Sequence, residues 1–142
     1  MDATTGDRTW AALAHLSGCL WILGIPFGGS IATAIIYVTR RHDSPFVADQ
    51  ARESQNFQNT VSLAVIAAIV AVASIVEQLA VRRATEPALA AIALGAASLA
   101  VIMIANAALS IIAALAVQQG VAYRYPVSLR LLRDAKEHNR AR

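Results

Sequence analysis

Polar and apolar residues fall in long blocks along this chain. No Asp, Glu, Lys or Arg occurs between Arg8 and Arg40, between Glu53 and Glu77, or between Glu86 and Arg124. Each gap reaches or exceeds the roughly 20 residues that a helix needs to cross a hydrocarbon layer ~30 Å thick. Alanine and β-branched residues fill the gaps without a period of two, which fits helices and not barrel strands. The pattern predicts an all-α integral membrane bundle of three or four spans.

The first apolar segment, 10–39, would be about 45 Å long as one helix. It is broken at Pro26, within Gly24-Ile25-Pro26-Phe27-Gly28-Gly29. Proline removes a backbone donor and glycine permits a sharp change of direction. Two arrangements follow: one kinked, tilted span, or a hairpin of Trp10–Gly24 and Phe27–Arg40. Each hairpin arm would be about 22 Å long, short for a full crossing.

After a polar connection, Ser44-Pro45 marks a helix start, with Ser44 as cap and Pro45 at the first helical position. Asp49 suits the positive end of that helix. No Pro or Gly follows until Pro87, so one helix is expected over 45–81, with a polar start at 45–58 and a membrane span beyond it. A turn through Arg82, Arg83, Thr85, Glu86 and Pro87 leads to a last span over 87–119, closed by Gln118-Gln119-Gly120. The organisation expected is a polar N-terminal segment 1–9, a transmembrane domain 10–120 and a basic cytoplasmic tail 121–142.

Composition agrees with a membrane protein. Of 142 residues, 57% are apolar and 15% charged, with a mean hydropathy of +0.54. Soluble domains carry roughly 45–50% apolar and about 25% charged residues. One cysteine, Cys19, excludes an intramolecular disulfide. Asp2, Asp7 and Arg8 precede the first apolar run, which therefore lacks a positive leader segment and is expected to be retained as an anchor. In the hairpin arrangement the basic residues divide ten against two, with only Arg82 and Arg83 on the far side; in the three-span arrangement Arg8 joins them. Either division puts 42–58 and the tail in the cytoplasm. The same asymmetry accounts for the pI of about 9.6, so nucleic acid is not an expected partner.

Several residues stand out. His15 lies in an apolar run, where an ionisable side chain is a functional candidate or a hydrogen-bonded structural one. His15 and Cys19, four apart, could share a helix face, but two ligands alone make a weak metal or haem site. Asn106 lies mid-span and is expected to bond across helices, and Ala91 and Gly95 suit close helix approach. Trp10, Tyr37, Tyr123 and Tyr125 read as interfacial anchors. Arg130, Arg133 and Lys136, beside Leu129, Leu131 and Leu132, read as a short basic amphipathic stretch for anionic lipid headgroups. The 42–58 segment reads as a solvated amphipathic connector, or as an interaction element at the mouth of the bundle. No nucleophile–base pair, phosphate loop or zinc spacing is recognisable, so no enzymatic activity and no cofactor are expected.

Six blocks occur in order: Trp10-Ala11, His15-Leu16-Ser17-Gly18, Ile25-Pro26-Phe27-Gly28, Ser44-Pro45-Phe46-Val47, Asn56-Phe57-Gln58 and Tyr123-Arg124-Tyr125-Pro126. Together they resemble a small bacterial membrane family of unknown function that includes MamF-like magnetosome proteins. That family is distantly similar to the Tic-type membrane subunit of the plastid inner-envelope translocon. The chain departs from the family pattern at Gln50, at Ser54-Gln55 and at Gly120-Val121, and it carries no acidic loop suited to iron. The resemblance implies a multi-pass protein of the bacterial inner membrane that helps target, insert or organise other membrane proteins. His15, Pro26, Pro45, Asn56, Phe57, Gln58, Tyr123, Tyr125 and Pro126 would carry its interaction motif. The expected partners are the bilayer, other membrane proteins and a possible homo-oligomer. The alternative is an oligomeric channel or small-solute permease lined by His15, Ser17 and Asn106.

Overall fold

A computed structural model describes residues 3–25 and 27–132. The described residues are all helical or irregular, with no strand among them. The order is α1 (Thr5–Leu16), a 3-10 segment (Ser17–Trp21), α2 (Gly28–Arg40), α3 (Pro45–Val81) and α4 (Thr85–Gln118).

Helix α1 starts earlier than the apolar pattern indicates, inside the segment expected to be polar and non-spanning. The cause is local: the Thr4 hydroxyl accepts the Asp7 amide while the Asp7 carboxylate accepts the Thr4 amide, a reciprocal capping box. Beyond Leu16 the winding tightens and the chain turns at Gly24, so the first apolar segment is a hairpin of two short arms. Pro26 lies outside the described residues.

Helix α3 begins as the sequence indicates. Pro45 occupies its first turn and the Ser44 hydroxyl accepts the Val47 amide. Its 37 residues correspond to about 55 Å, and the 34 of α4 to about 51 Å. These two helices are long and apolar enough to cross a membrane. They form an antiparallel hairpin in which Gly95 of α4 packs against Val72 of α3.

The short arms cover only the first half of α3. Along it, α1 and the 3-10 segment run parallel: His15 meets Gln50, Ala14 meets Ser54 and Gly18 lies against Gln58. Helix α2 returns antiparallel: Gly29 lies against Gln58, Thr33 meets Gln55 and Ile36 packs with Val47 and Ala51. Trp21, near the tip, packs on the cluster of Phe57, Val61 and Val65. The polar half of α3 is therefore the centre of a four-helix bundle.

That half has an inverted polarity. His15, Thr33, Gln50, Ser54, Gln58, Asn106 and Ser110 are fully buried, while Leu13, Ile31, Ile35, Ile112 and Leu115 are exposed. A soluble bundle places these classes the other way round. Polar inside and apolar outside is the arrangement for a membrane surrounding, whether headgroup interface or hydrocarbon.

Candidate functional site

The stretch 45–58 is the centre of the site, and its burial overturns its reading as a solvated connector. Gln50, Glu53, Ser54, Gln55, Asn56 and Gln58 are all buried. Residues spaced three and four apart share a helix face, so α3 carries a continuous stripe of side-chain acceptors. The chain after α4 lies on that stripe in a non-helical conformation. Gln50 Oε1 accepts the Tyr123 amide at 3.0 Å, and Glu53 Oε1 accepts the Tyr125 amide at 2.9 Å. Thr60 Oγ1 accepts the Leu129 amide at 2.8 Å. Asn56 clamps Leu132 from both sides, accepting its amide at 2.8 Å and donating to its carbonyl at 3.1 Å. Residues 129–132, the described part of the expected basic amphipathic stretch, are not helical, and side chains of α3 hold the Leu129 and Leu132 amides.

Charge fixes the near end of this strap. Arg124 donates to Asp49 at 2.8 Å and lies 3.9 Å from Glu53. The Glu53 carboxylate, 6% exposed, therefore has an amide and a guanidinium to offset its lost hydration. The Tyr125 ring stacks on Phe57 with centroids 3.8 Å apart.

His15 connects strap, α1 and α3. Its Nε2 is 3.2 Å from Gln50 Oε1 and its Nδ1 is 3.0 Å from the Tyr125 hydroxyl. The amide of Gln50 is oriented by its neighbours: the Tyr123 backbone N–H can only donate, and Gln50 Nε2 donates to Asp49 at 2.8 Å. The atom facing His15 is therefore oxygen, and Nε2 must carry a proton. In the neutral imidazole Nδ1 is then an acceptor for the Tyr125 O–H. Burial pushes the Tyr125 phenol above its ordinary value, which keeps that proton in place.

About two turns further along α3, Gln58 donates to Asn106 Oδ1 at 3.1 Å, and Asn106 donates to the Gly18 carbonyl at 2.8 Å. Asn106 thus bonds across helices as its sequence position indicates. The layer closes because two glycines flank the Gln58 amide. A Cβ at Gly18 would strike Gln58 and Ser110, and one at Gly29 would lie 2.8 Å from Gln58 Oε1. Ser54 donates to the Ala14 carbonyl at 2.7 Å, and Thr33 to Gln55 Oε1 at 2.9 Å.

The structure brings His15, Asn56, Phe57, Gln58, Tyr123 and Tyr125 into one assembly. Pro45 stands apart as a helix start, Pro126 follows on the exposed strap, and Arg130 is exposed. Arg133 and Lys136 lie outside the described residues. Tyr125 is not the interfacial anchor its position indicates but a core residue, 4% exposed. Both His15 nitrogens are engaged within the core and Cys19 is half-buried. No group of three metal-ligating side chains gathers among the described residues. The sequence reading did not single out Thr60, Gly29 or Thr33 as site residues. Their signal was available in the polar stripe at helical spacing along α3 and in the small residues facing it.

The chain matches, over residues 6–132, the profile described as the magnetosome magnetite crystal formation protein family, MamF/MmsF. No curated protein and no solved structure matches it.

Proposed function

Because the chain belongs to the magnetosome magnetite crystal formation protein family, we propose that it serves crystal formation indirectly, as a non-enzymatic integral membrane protein that positions, inserts or organises other membrane proteins. The observation that carries this reading is the use of the polar core. Its histidine, amides and carboxylate hold one another and the backbone of the C-terminal strap. Such an interior builds a defined shape rather than a reaction centre. The likeness to the Tic-type translocon subunit belongs to the same proposal.

In this reading α3 and α4 cross the bilayer, and the α1–α2 hairpin enters and leaves the same leaflet. The 22 residues from Thr60 to Val81 correspond to about 33 Å, close to the hydrocarbon thickness. The basic residues Arg40 and Arg41, which lie over the rings of Trp10 and Tyr37, then anchor the cytoplasmic side. Clients would meet the exposed turn at His42 and Asp43 and the exposed outer side of α4 at Leu94, Val101 and Ile104.

Photo-crosslinking from His42, Leu94 and Val101 in intact membranes tests this. Reproducible adducts with other membrane proteins are expected; adducts with lipid and with the same chain alone would overturn the reading. The channel alternative draws on one observation: Gln58 Oε1 and Ser62 Oγ are buried without a hydrogen-bond partner. Solute flux in proteoliposomes would support that alternative, and its absence across ions and small solutes would remove it.

A further inference from the structure

We propose that the outer face of the strap, at Val127, Leu129 and Leu131, is a lipid-binding surface that dips into the acyl-chain boundary of the cytoplasmic leaflet. The orientation rests on the reading that α3 and α4 span the bilayer. Three observations converge on it. The first is direction: successive strap amides reach Gln50, Glu53 and then Thr60, so from Tyr123 to Leu129 the chain climbs α3 toward its apolar half. Only at Leu132 does it step back to Asn56. The second is depth. Thr60 follows the amide-rich start of α3, which ends at Asn59, and with Arg82 at the far headgroups about 33 Å away it falls at the near hydrocarbon boundary.

The third is chemistry. Val127, Leu129 and Leu131 are exposed, 67%, 46% and 63%, beside the exposed Leu132. Extended backbone in an apolar layer must have its polar groups satisfied. Thr60 and Asn56 take the Leu129 and Leu132 amides, the Leu131 amide reaches the Leu129 carbonyl at 2.8 Å, and Pro126 has no amide to satisfy. Arg130, in the same stretch, can extend its guanidinium to the phosphates. Acyl chains are the occupant that fits, because neighbouring elements present the same apolar exterior at this level, with Leu16, Ile31 and Ile112 exposed.

The test uses the full chain with Cys19→Ser, in vesicles of phosphatidylethanolamine and phosphatidylglycerol. Nitroxides are placed singly at Leu129 and Leu131, with references at the exposed loop residue His42 and the exposed α3 residue Ile66. Collision with oxygen is compared with collision with a water-soluble nickel chelate. Ratios at Leu129 and Leu131 close to Ile66, and several-fold above His42, are expected. Ratios like His42 would overturn the proposal, as would labels immobilised and shielded from both agents, which would mean protein cover. A second variant, Asn56→Ala with Thr60→Ala, frees the strap. Its labels should shift toward the His42 value, and an unchanged lipid-like ratio would show that docking on α3 does not set the depth.

Discussion

His15 and Gln50 share one oxygen with the C-terminal strap: Gln50 Oε1 takes the His15 Nε2 proton at 3.2 Å and the Tyr123 amide at 3.0 Å. One side chain therefore joins α1, α3 and the strap, which are distant in sequence. Gln50→Leu would leave two buried donors without an acceptor, at about 1–3 kcal/mol for each donor. The double-mutant cycle with His15→Phe should give a coupling of about 1–3 kcal/mol, as expected for residues in one network. Unfolding titrations in detergent measure it, and additive losses would show that the two residues act independently.

Asn56 should control the strap without controlling the bundle. Asn56→Ala removes both bonds to Leu132 but touches neither His15 nor Gln58. Amide hydrogen exchange at Leu132 and Leu129 should quicken by roughly tenfold or more, following a loss of about 1–3 kcal/mol. Exchange within α1 and α4 should hardly change. Equal acceleration throughout would mean that strap and bundle open together.

What was legible in the sequence was what neighbouring residues decide. Ser44 and Pro45 start α3 through contacts within one turn, and Asn106, an amide inside an apolar run, had to find a partner because a buried amide left unpaired is costly. The role of 45–58 was not legible. A polar stripe facing water and one facing a strap have the same composition, and the partner of Asn56 lies 76 residues away. The same holds for Tyr125: its position near a span end is local and indicates an anchor, whereas Phe57 and His15 arrive through the fold. The early start of α1 follows from Thr4 and Asp7, a capping box that lies outside the apolar run.

Strap docking should weaken at alkaline pH. Burial raises the Tyr125 phenol above its ordinary value near 10, so the folded state holds the proton more tightly than the unfolded state. A group with a raised folded value contributes stability that is complete below its unfolded value and is lost as pH rises beyond it. Docking should be insensitive to this group below about pH 10 and decline above it. Tyr125→Phe, which keeps the stacking on Phe57, should lose that decline. Trypsin cleavage at Arg124 and Arg130 across pH reads the docking, with the enzyme's own pH response measured on an unfolded control.

The two glycines around Gln58 should be intolerant for a stated cause. Gly29→Ala would put a methyl 2.8 Å from Gln58 Oε1 and 3.1 Å from the Ser17 carbonyl, and Gly18→Ala would strike the other side of the same amide. Overpacking of this kind costs about 1–3 kcal/mol. Shortening the obstacle should return part of it, so Gly18→Ala with Gln58→Ala should be less destabilised than the sum of the single changes. Thermal unfolding in detergent gives the comparison, and a double variant as poor as that sum would mean that the Gln58 amide is not the obstacle.

The ends of α3 and α4 close by the same motif with different residues, and this difference sets the last expectation. After α3, the Arg83 amide reaches the Ala80 carbonyl and the Ala84 amide reaches Leu79; after α4, the Gly120 amide reaches Val117 and the Val121 amide reaches Ala116. Both are Schellman closures, which put the residue after the cap in the left-handed region. Gly120 sits there at φ +81, but so does Arg83 at φ +55, where a Cβ costs about 1–2 kcal/mol. Arg83→Gly should therefore stabilise the hairpin by about 1 kcal/mol, less the entropy glycine adds to the unfolded chain. Gly120→Ala should do the reverse and more, because its Cβ would also lie 3.1 Å from the Arg8 guanidinium. If Arg83→Gly is neutral or destabilising in unfolding titrations, the arginine has a compensating contact at the far headgroups. In that case a charge-retaining Arg83→Lys should match the parent, and a neutral Arg83→Asn, which tolerates the same backbone, should not.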